Sequence, residues 1–194
     1  MNRYLSVLLL STASLACAGG HHAPPREGHE GEPSQAAQLY EAGLAYAEAG
    51  DWLRAEHYLN AAVRRGAPAD RVVPHLVRLC IESSRYRAAL EHAEPHLRQH
   101  PGNVELRFIV GTLHAALGAP EAARDALRSV TSADPTHAPA EYALGNLWAR
   151  SFGDVDEAAR HFTRYLELRP HGEHAEEVRL WLATWNRNEE RPPT

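Results

Sequence analysis

Small and apolar residues recur along the chain at intervals of 34 or 35 residues. The first recurring column consists of Gly43, Val77, Gly111 and Gly145. Three residues further on lies a column that consists of Tyr46, Cys80, His114 and Trp148. A third column consists of Ala55, Ala89, Ala123 and Ala158. Self-similarity at a fixed period of this length predicts repeated structural units that stack on one another.

The composition favours helices within these units. Ala and Leu are abundant, Phe occurs only 3 times and β-branched residues are sparse, which favours helix over strand by intrinsic propensity. After the fourth unit, apolar residues recur at helical spacing at Ala175, Val178, Leu182 and Trp185. Because stacked helix pairs leave their last apolar face open, this segment is predicted to be a capping helix. The chain is therefore predicted to be all-α.

The repeated pattern resembles the tetratricopeptide repeat (TPR), which has a small residue, an aromatic residue three later, a turn, an Ala and a closing Pro. Gly43–Val63 and Gly145–Pro170 carry this pattern almost whole, the second with one extra residue near Ser151 or Phe152. The resemblance implies an α-solenoid domain over residues 35–188, built from four helix-turn-helix repeats. The implied boundaries are about 36–69, 70–103, 104–137 and 138–172 for the repeats, 173–188 for the cap and 189–194 for a tail.

The second repeat is the most divergent. It has Val77 in the column of small residues, and it contains Pro74 and Pro95. Pro74 is predicted to fall in the first turn of a helix, where proline is tolerated. Pro95 is predicted to lie inside a helix, where it removes the hydrogen bond to the Glu91 carbonyl. It should therefore kink or shorten that helix before His100.

The N-terminal segment is typical of an exported bacterial protein. Arg3 precedes the apolar run Leu5–Leu10 and a stretch of small residues, which predicts a signal peptide over residues 1–16. Ser14–Cys17 resembles the lipobox of bacterial lipoproteins, in which the cysteine receives lipid and becomes the first mature residue. This resemblance implies a lipid anchor on Cys17, with the protein on the outer membrane facing the periplasm. Cleavage after Ala18 is the alternative, and it would give a soluble periplasmic or secreted protein.

Residues 17–34 are rich in Gly, Pro, His and Glu and contain no large apolar residue, which predicts a disordered tether.

Charge and composition exclude several functions. With 20 basic and 25 acidic residues, the chain lacks the positive charge that nucleic-acid binding requires. All basic residues are Arg, which excludes lysine-dependent chemistry. The sequence contains no common catalytic or phosphate-binding motif, so no catalytic residue, cofactor or small-molecule substrate is expected.

The resemblance also implies a concave groove lined by the first helix of each repeat. One inner column would consist of Tyr40, Pro74, Phe108 and Tyr142. The column four residues later would consist of Leu44, Arg78, Thr112 and Asn146. Further groove candidates are Arg71, Glu105 and Arg150. The aromatic residues would either form a ladder for an extended peptide or partner helix, or fill space between neighbouring first helices.

These features predict a non-enzymatic adaptor of the bacterial cell envelope, which binds an extended peptide or helix of another envelope protein in the groove. One alternative is a pilotin-like assembly factor for a secretin, pilus or secretion system. A second alternative is metal binding through histidines. Its weak candidates are His92, His96 and His100, which are spaced by four residues. Pro95 would interrupt their helix, so structural or surface roles are favoured and no metal site is predicted.

Overall fold

The computed structural model describes residues 33–189, which form nine α-helices joined by short turns. The helices are α1 (Gln35–Glu48), α2 (Trp52–Arg64), α3 (Ala69–Glu82), α4 (Tyr86–Gln99), α5 (Val104–Ala116), α6 (Pro120–Ala133), α7 (Ala138–Leu147), α8 (Val155–Leu168) and α9 (Ala175–Glu189). No strand occurs in this range, which confirms the predicted all-α fold. No helix among these residues has both the length and the apolar character that crossing a membrane requires.

Several sequence predictions fall outside this range. The predicted signal peptide over residues 1–16 and the lipidation candidate Cys17 lie outside the described residues. So do all but the last two residues of the predicted tether and residues 190–194 of the predicted tail. These predictions therefore rest on the sequence alone.

Residues that precede the helices satisfy the first free backbone N–H groups. Side-chain N-caps are formed by Ser34, Asp51, Asn103, His137 and Asp154. At α2, the Asp51 carboxylate accepts a hydrogen bond from the Arg54 N–H at 3.1 Å. This bond, together with one from the Arg54 side chain, lowers the pKa of Asp51. Local capping of this kind fixes where each helix begins.

The two helices of each pair approach closely at the column of small residues. In the first pair, a Cβ atom at Gly43 would lie only 2.7 Å from Leu59 Cγ. The glycines of the third and fourth pairs are similarly close to a large side chain. In the second pair the sizes are exchanged, because Val77 stands in the glycine column and Ala93 stands in the leucine column. Both are buried in one core cluster, so the same space is filled from the opposite helix.

The turns inside the four pairs share one backbone conformation. Their left-handed residues are Gly50, Ser84, Gly118 and Gly153, with φ angles of 73°, 58°, 72° and 69°. In the first pair, the Asp51 N–H then binds the Tyr46 carbonyl, five residues earlier, and the next two turns repeat this bond. In the fourth pair, the Asp154 N–H binds the Trp148 carbonyl, six residues earlier, at 3.1 Å. The extra residue that the sequence predicts here is accommodated in a π-helical turn, Trp148–Phe152.

Three apolar clusters follow one another along the stack. The first includes Leu59 and spans the first two pairs and α5, and the second includes Leu127 and joins α6 to α7. The third includes Phe162 of α8 and Val178 of α9. The rings of Phe162 and Trp181 lie 4.9 Å apart between their centroids. The last helix therefore covers the apolar side of the fourth pair, as a capping helix does.

Two prolines lie inside helices of the second pair. Pro95 does not end its helix, since α4 continues to Gln99 and ends just before His100. Pro74 is the sixth residue of α3, beyond the first turn in which the sequence places it. Both prolines lie on exposed positions of their helices, where solvent can replace the missing hydrogen-bond partner of the earlier carbonyl. The helical fold is therefore maintained at both positions.

Candidate functional site

The first pair of predicted groove residues, Tyr40 and Arg71, lines a cavity of about 180 Å³ between α1 and α3. Tyr40 is only 9% exposed, and the Arg71 guanidinium lies 4.9 Å from the centroid of its ring. The Tyr40 hydroxyl lies 2.9 Å from His75 Nε2. Burial, and then the charges of Arg78 and Arg71, lower the pKa of His75. The neutral ring can therefore accept a hydrogen bond from the Tyr40 hydroxyl. Tyr40 therefore links α1 to α3.

A larger cleft of about 410 Å³ opens between α3 and α5. Its apolar walls are formed by Pro74, Val77, Ile81, Leu106 and Ile109. The predicted groove residues Arg78 and Glu105 line it from α3 and α5 respectively, and His96 and Asn103 complete it. The Arg78 and Glu105 side chains are 64% and 75% exposed. The cleft thus combines an apolar interior with two accessible charges of opposite sign.

The cleft exists because one aromatic side chain of the inner column is missing. In the other three repeats, this column contacts a ring of a later element. These contacts join Tyr40 to His75, Phe108 to His137, and Tyr142 to His174. Pro74 occupies the same position in α3 and has no long side chain to extend towards α5.

A third cavity, of about 310 Å³ between α5 and α7, is lined in part by Thr112, Asn146 and Arg150. The Thr112 hydroxyl donates a hydrogen bond to the Ile109 carbonyl at 2.8 Å. The Asn146 amide donates one to the Tyr142 carbonyl at 3.2 Å. Both polar groups are thus bonded within their own helices.

The remaining predicted residues are engaged by neighbouring helices. The Tyr142 hydroxyl donates a hydrogen bond to Glu177 Oε2 of α9 at 2.9 Å. Burial, reinforced by this carboxylate, raises the pKa of Tyr142. Arg150 lies 3.9 Å from the other oxygen of Glu177. Leu44 is half-buried against the first core cluster, and Phe108 packs against the second.

His92, the first of the three candidate histidines, belongs to a buried polar group with Glu56. His92 Nε2 lies 3.2 Å from Glu56 Oε1, and the other Glu56 oxygen accepts a hydrogen bond from Arg85 at 2.6 Å. Burial alone would raise the pKa of Glu56, but the hydrogen bonds from Arg85 and His92 outweigh it and lower that pKa. Nearby, burial raises the pKa of the Cys80 thiol to about 11, so the thiol is protonated at neutral pH.

His96 and His100 face a different carboxylate. Their Nε2 atoms lie 3.2 Å and 3.5 Å from Asp70 Oδ1, at the start of α3. Their ring centroids are 4.4 Å apart. The three histidines therefore divide between two carboxylates and do not converge on one point.

The sequence did not identify the apolar walls of the cleft or the position of Asp70. The signal for the cleft was present, since Pro74 is the one non-aromatic residue in the inner column. A missing side chain at one repeat predicts an open space between two first helices. No comparable signal marks Asp70, because its approach to His96 and His100 depends on how α3 packs on α4.

Comparisons with known proteins agree on the fold. A family model of the tetratricopeptide repeat matches residues 76–138 and 120–173. A crystal structure of YrrB, described as a TPR protein with an unusual peptide-binding site, is 22% identical over 75% of each chain, with a TM-score of 0.67. A tetratricopeptide repeat protein from Parabacteroides merdae ATCC 43184 is 22% identical over 79% of this chain and 60% of that chain, with a TM-score of 0.70. MamA from Desulfovibrio magneticus RS-1 is 22% identical over 71% of this chain and 77% of that chain, with a TM-score of 0.63. No curated protein matches the sequence.

Proposed function

This protein belongs to the tetratricopeptide repeat family, a non-enzymatic protein-interaction fold, and we propose that it binds an extended peptide of a partner protein in the cleft between α3 and α5. The observation that carries this proposal is the cleft itself. It is open, mainly apolar, and bordered by Arg78 and Glu105. Its volume of about 410 Å³ lies within the range of pockets that bury most of a small ligand.

The chemistry of the cleft defines the peptide that it would bind. In an extended peptide, alternate side chains point the same way, so two aliphatic side chains two residues apart can enter the apolar interior together. A basic residue of the peptide would then pair with Glu105 and an acidic residue with Arg78. Such charges at an interface rim favour one orientation of the peptide and speed association more than they add affinity.

A peptide-binding role has a precedent in a protein of the same fold, but no binding residue is carried over from that protein. YrrB is described as having an unusual peptide-binding site, and its similarity to this chain is in the fold. Within the present fold, the aromatic positions of the inner column are engaged with neighbouring helices. The peptide is therefore placed at Pro74, where the repeat leaves space.

We place this adaptor in the bacterial cell envelope, held by lipid on Cys17. Support comes from the signal-like segment and the lipobox-like residues Ser14–Cys17. The partner would then be another envelope protein. The predicted tether of residues 17–34, if flexible, would span on the order of 20–25 Å and hold the repeats close to the membrane surface.

Changing Cys17 to Ala is expected to remove the lipid, and cleavage after Ala18 should then move the protein from the membrane fraction to the soluble periplasmic fraction. The physical reason is that the hydrocarbon chains linked to the cysteine supply the membrane affinity. Fractionation of cells and mass spectrometry of the N-terminal peptide measure the result. Ser14→Ala provides a matched control that leaves the cysteine in place. A wild-type chain that begins at Gly19 without lipid would contradict the anchor and support the soluble alternative.

A photo-crosslinking residue tests the cleft in living cells. Placed at Ile81, inside the cleft, it is expected to capture the partner, whereas at Leu53, which is 75% exposed on α2, it is not. Adding Ile109→Glu to the Ile81 probe should lower capture by about tenfold or more, because a carboxylate would be buried among apolar groups. Mass spectrometry identifies the captured protein. Equal capture from both positions, or capture unaffected by Ile109→Glu, would contradict the proposal.

A further inference from the structure

Asp70, His96 and His100 bring three metal-binding atoms together where the start of α3 meets the end of α4. His96 Nε2 and His100 Nε2 lie 3.2 Å and 3.5 Å from Asp70 Oδ1. All three atoms lie within 4.8 Å of one another. The carboxylate alone, or one histidine alone, would not make a metal site. Two imidazoles and one carboxylate together are a ligand set found in metalloproteins.

The distances agree with a tetrahedral metal site. With metal–nitrogen and metal–oxygen bonds of about 2.0–2.1 Å, two ligand atoms around Zn²⁺ are separated by about 3.3–3.4 Å. The two measured nitrogen–oxygen distances, 3.2 Å and 3.5 Å, bracket this value. His96 lies in the last turn of α4 and His100 directly follows that helix, and both present Nε2 to the same carboxylate oxygen.

The second nitrogen of His100 is already fixed by the backbone. His100 Nδ1 lies 3.2 Å from the His96 carbonyl oxygen, to which it can donate its proton. Metal-binding histidines commonly donate their other N–H in this way, which leaves the lone pair of Nε2 free for the metal. In that tautomer, His100 Nε2 and Asp70 Oδ1 are two acceptors that face each other at 3.5 Å. A metal ion, or a water molecule that donates to both, can bridge two such acceptors.

We propose that Asp70, His96 and His100 bind a divalent transition-metal ion of the Zn²⁺ class. His96 is 7% exposed and provides the rigid, buried ligand. His100 and Asp70 have side chains that are 45% and 70% exposed, so the fourth coordination position faces solvent. The ion would join the first turn of α3 to the C-terminal end of α4. Because His96 also lines the cleft, the ion would lie beside the candidate peptide site.

The nearby group of Glu56, Cys80 and His92 has comparable spacing but unsuitable chemistry. Glu56 already accepts a hydrogen bond from the Arg85 guanidinium at 2.6 Å, so a second cation would be repelled. The Cys80 thiol is protonated at neutral pH, and a metal binds the thiolate. His92 therefore provides a matched control on the same helix as His96.

Zinc titration of the full, tag-free chain after chelator treatment tests the proposal. Because His21, His22 and His29 of the N-terminal segment could also bind metal, all variants carry Ala at these three positions. We expect one Zn²⁺ per chain, measured by equilibrium dialysis with elemental analysis. Asp70→Asn and His100→Gln, both at exposed positions, should each weaken binding by at least about tenfold. His92→Gln should leave the affinity unchanged.

Stability and spectroscopy provide independent measurements of the same site. At a free Zn²⁺ concentration 100 times the dissociation constant, the unfolding equilibrium constant should fall by roughly 100-fold. Substituted Co²⁺ should show the visible absorption of tetrahedral coordination, and His100→Gln should abolish it. Binding that disappears with the three N-terminal histidines, survives His100→Gln, or is lost in His92→Gln would overturn the proposal. So would a chain that binds no Zn²⁺.

Discussion

Pro74→Phe is expected to weaken partner binding strongly while making the folded domain more stable. The repeat register shows what the new ring would contact. The offsets by which Tyr40, Phe108 and Tyr142 reach their partners are 29, 31, 32 and 35 residues. Counted from position 74, these offsets lead to Asn103, Glu105, Leu106 and Ile109, all of which line the cleft. A phenylalanine at position 74 should therefore fill the space that the peptide would occupy.

Both effects have estimated sizes. Filling a central anchor pocket should cost more than about 2 kcal/mol of binding free energy, roughly a thirtyfold loss of affinity. Removing a proline from a helix interior restores the N–H that can bond to the Asp70 carbonyl. The restored hydrogen bond stabilises the folded state, whereas losing the proline gives the unfolded chain more freedom. The net result should be a rise of about 1–2 kcal/mol in the free energy of unfolding. Urea denaturation and titration with the crosslinked partner's peptide measure the two effects.

Pro74→Ala is the matched control, because it repairs the same helix and leaves the cleft open. It should gain similar stability and keep most of its affinity for the peptide, because it removes only part of one cleft wall. Loss of binding in the more stable Pro74→Phe variant cannot be attributed to unfolding. If Pro74→Phe binds as tightly as the unchanged protein, the peptide does not use the cleft. If both variants lose binding, the proline itself is required and the anchor model is wrong.

The second large effect concerns the exchanged sizes of Val77 and Ala93. Val77→Gly alone should lower the free energy of unfolding by about 3 kcal/mol, because it creates a cavity and places glycine inside a helix. Ala93→Leu alone should lower it by about 1–3 kcal/mol through overpacking. Together they recreate the arrangement of Gly43 and Leu59, so the double variant should return to within about 1 kcal/mol of the starting protein. Urea denaturation of the four proteins measures the coupling.

A distant pair gives the control for this cycle. Combining Val77→Gly with Ala123→Leu, a fully buried position in the third helix pair, should give additive losses, because the two residues lie in different apolar clusters. If the losses from Val77→Gly and Ala93→Leu are also additive, as in the distant pair, these two positions do not face each other. The equivalence of the second pair with the other three would then fail.

Much of the fold could be predicted because the repeated residues make their packing contacts within one helix pair. The glycine column marks the close approach of two helices, and the one substitution in it, Val77, is compensated by Ala93 one helix later. Proline effects were harder to predict. Whether Pro95 ends a helix depends on whether solvent reaches the unpaired carbonyl, and exposure is a property of the folded stack.

The site could be predicted only in part, for a physical reason. Sequence columns identify which residues share a position, such as Arg78 and Thr112, but not whether neighbouring helices already occupy those side chains. Tyr142 shows the difference, since His174, just before α9, stacks on its ring and Glu177 of α9 accepts its hydrogen bond. Contacts between elements far apart in sequence decide which positions stay open for a ligand.

The π-helical turn Trp148–Phe152 shows how this architecture absorbs changes in chain length. One additional residue bulges locally, while Gly145 before it and Ala158 after it keep their places in the packing of α7 against α8. The added length is thus absorbed within the turn, while Trp148 and Phe152 stay packed against the second apolar cluster. For an experimenter, the exposed positions between and after these two rings, Ser151 and Gly153, are where a short epitope can be grafted without removing a core contact.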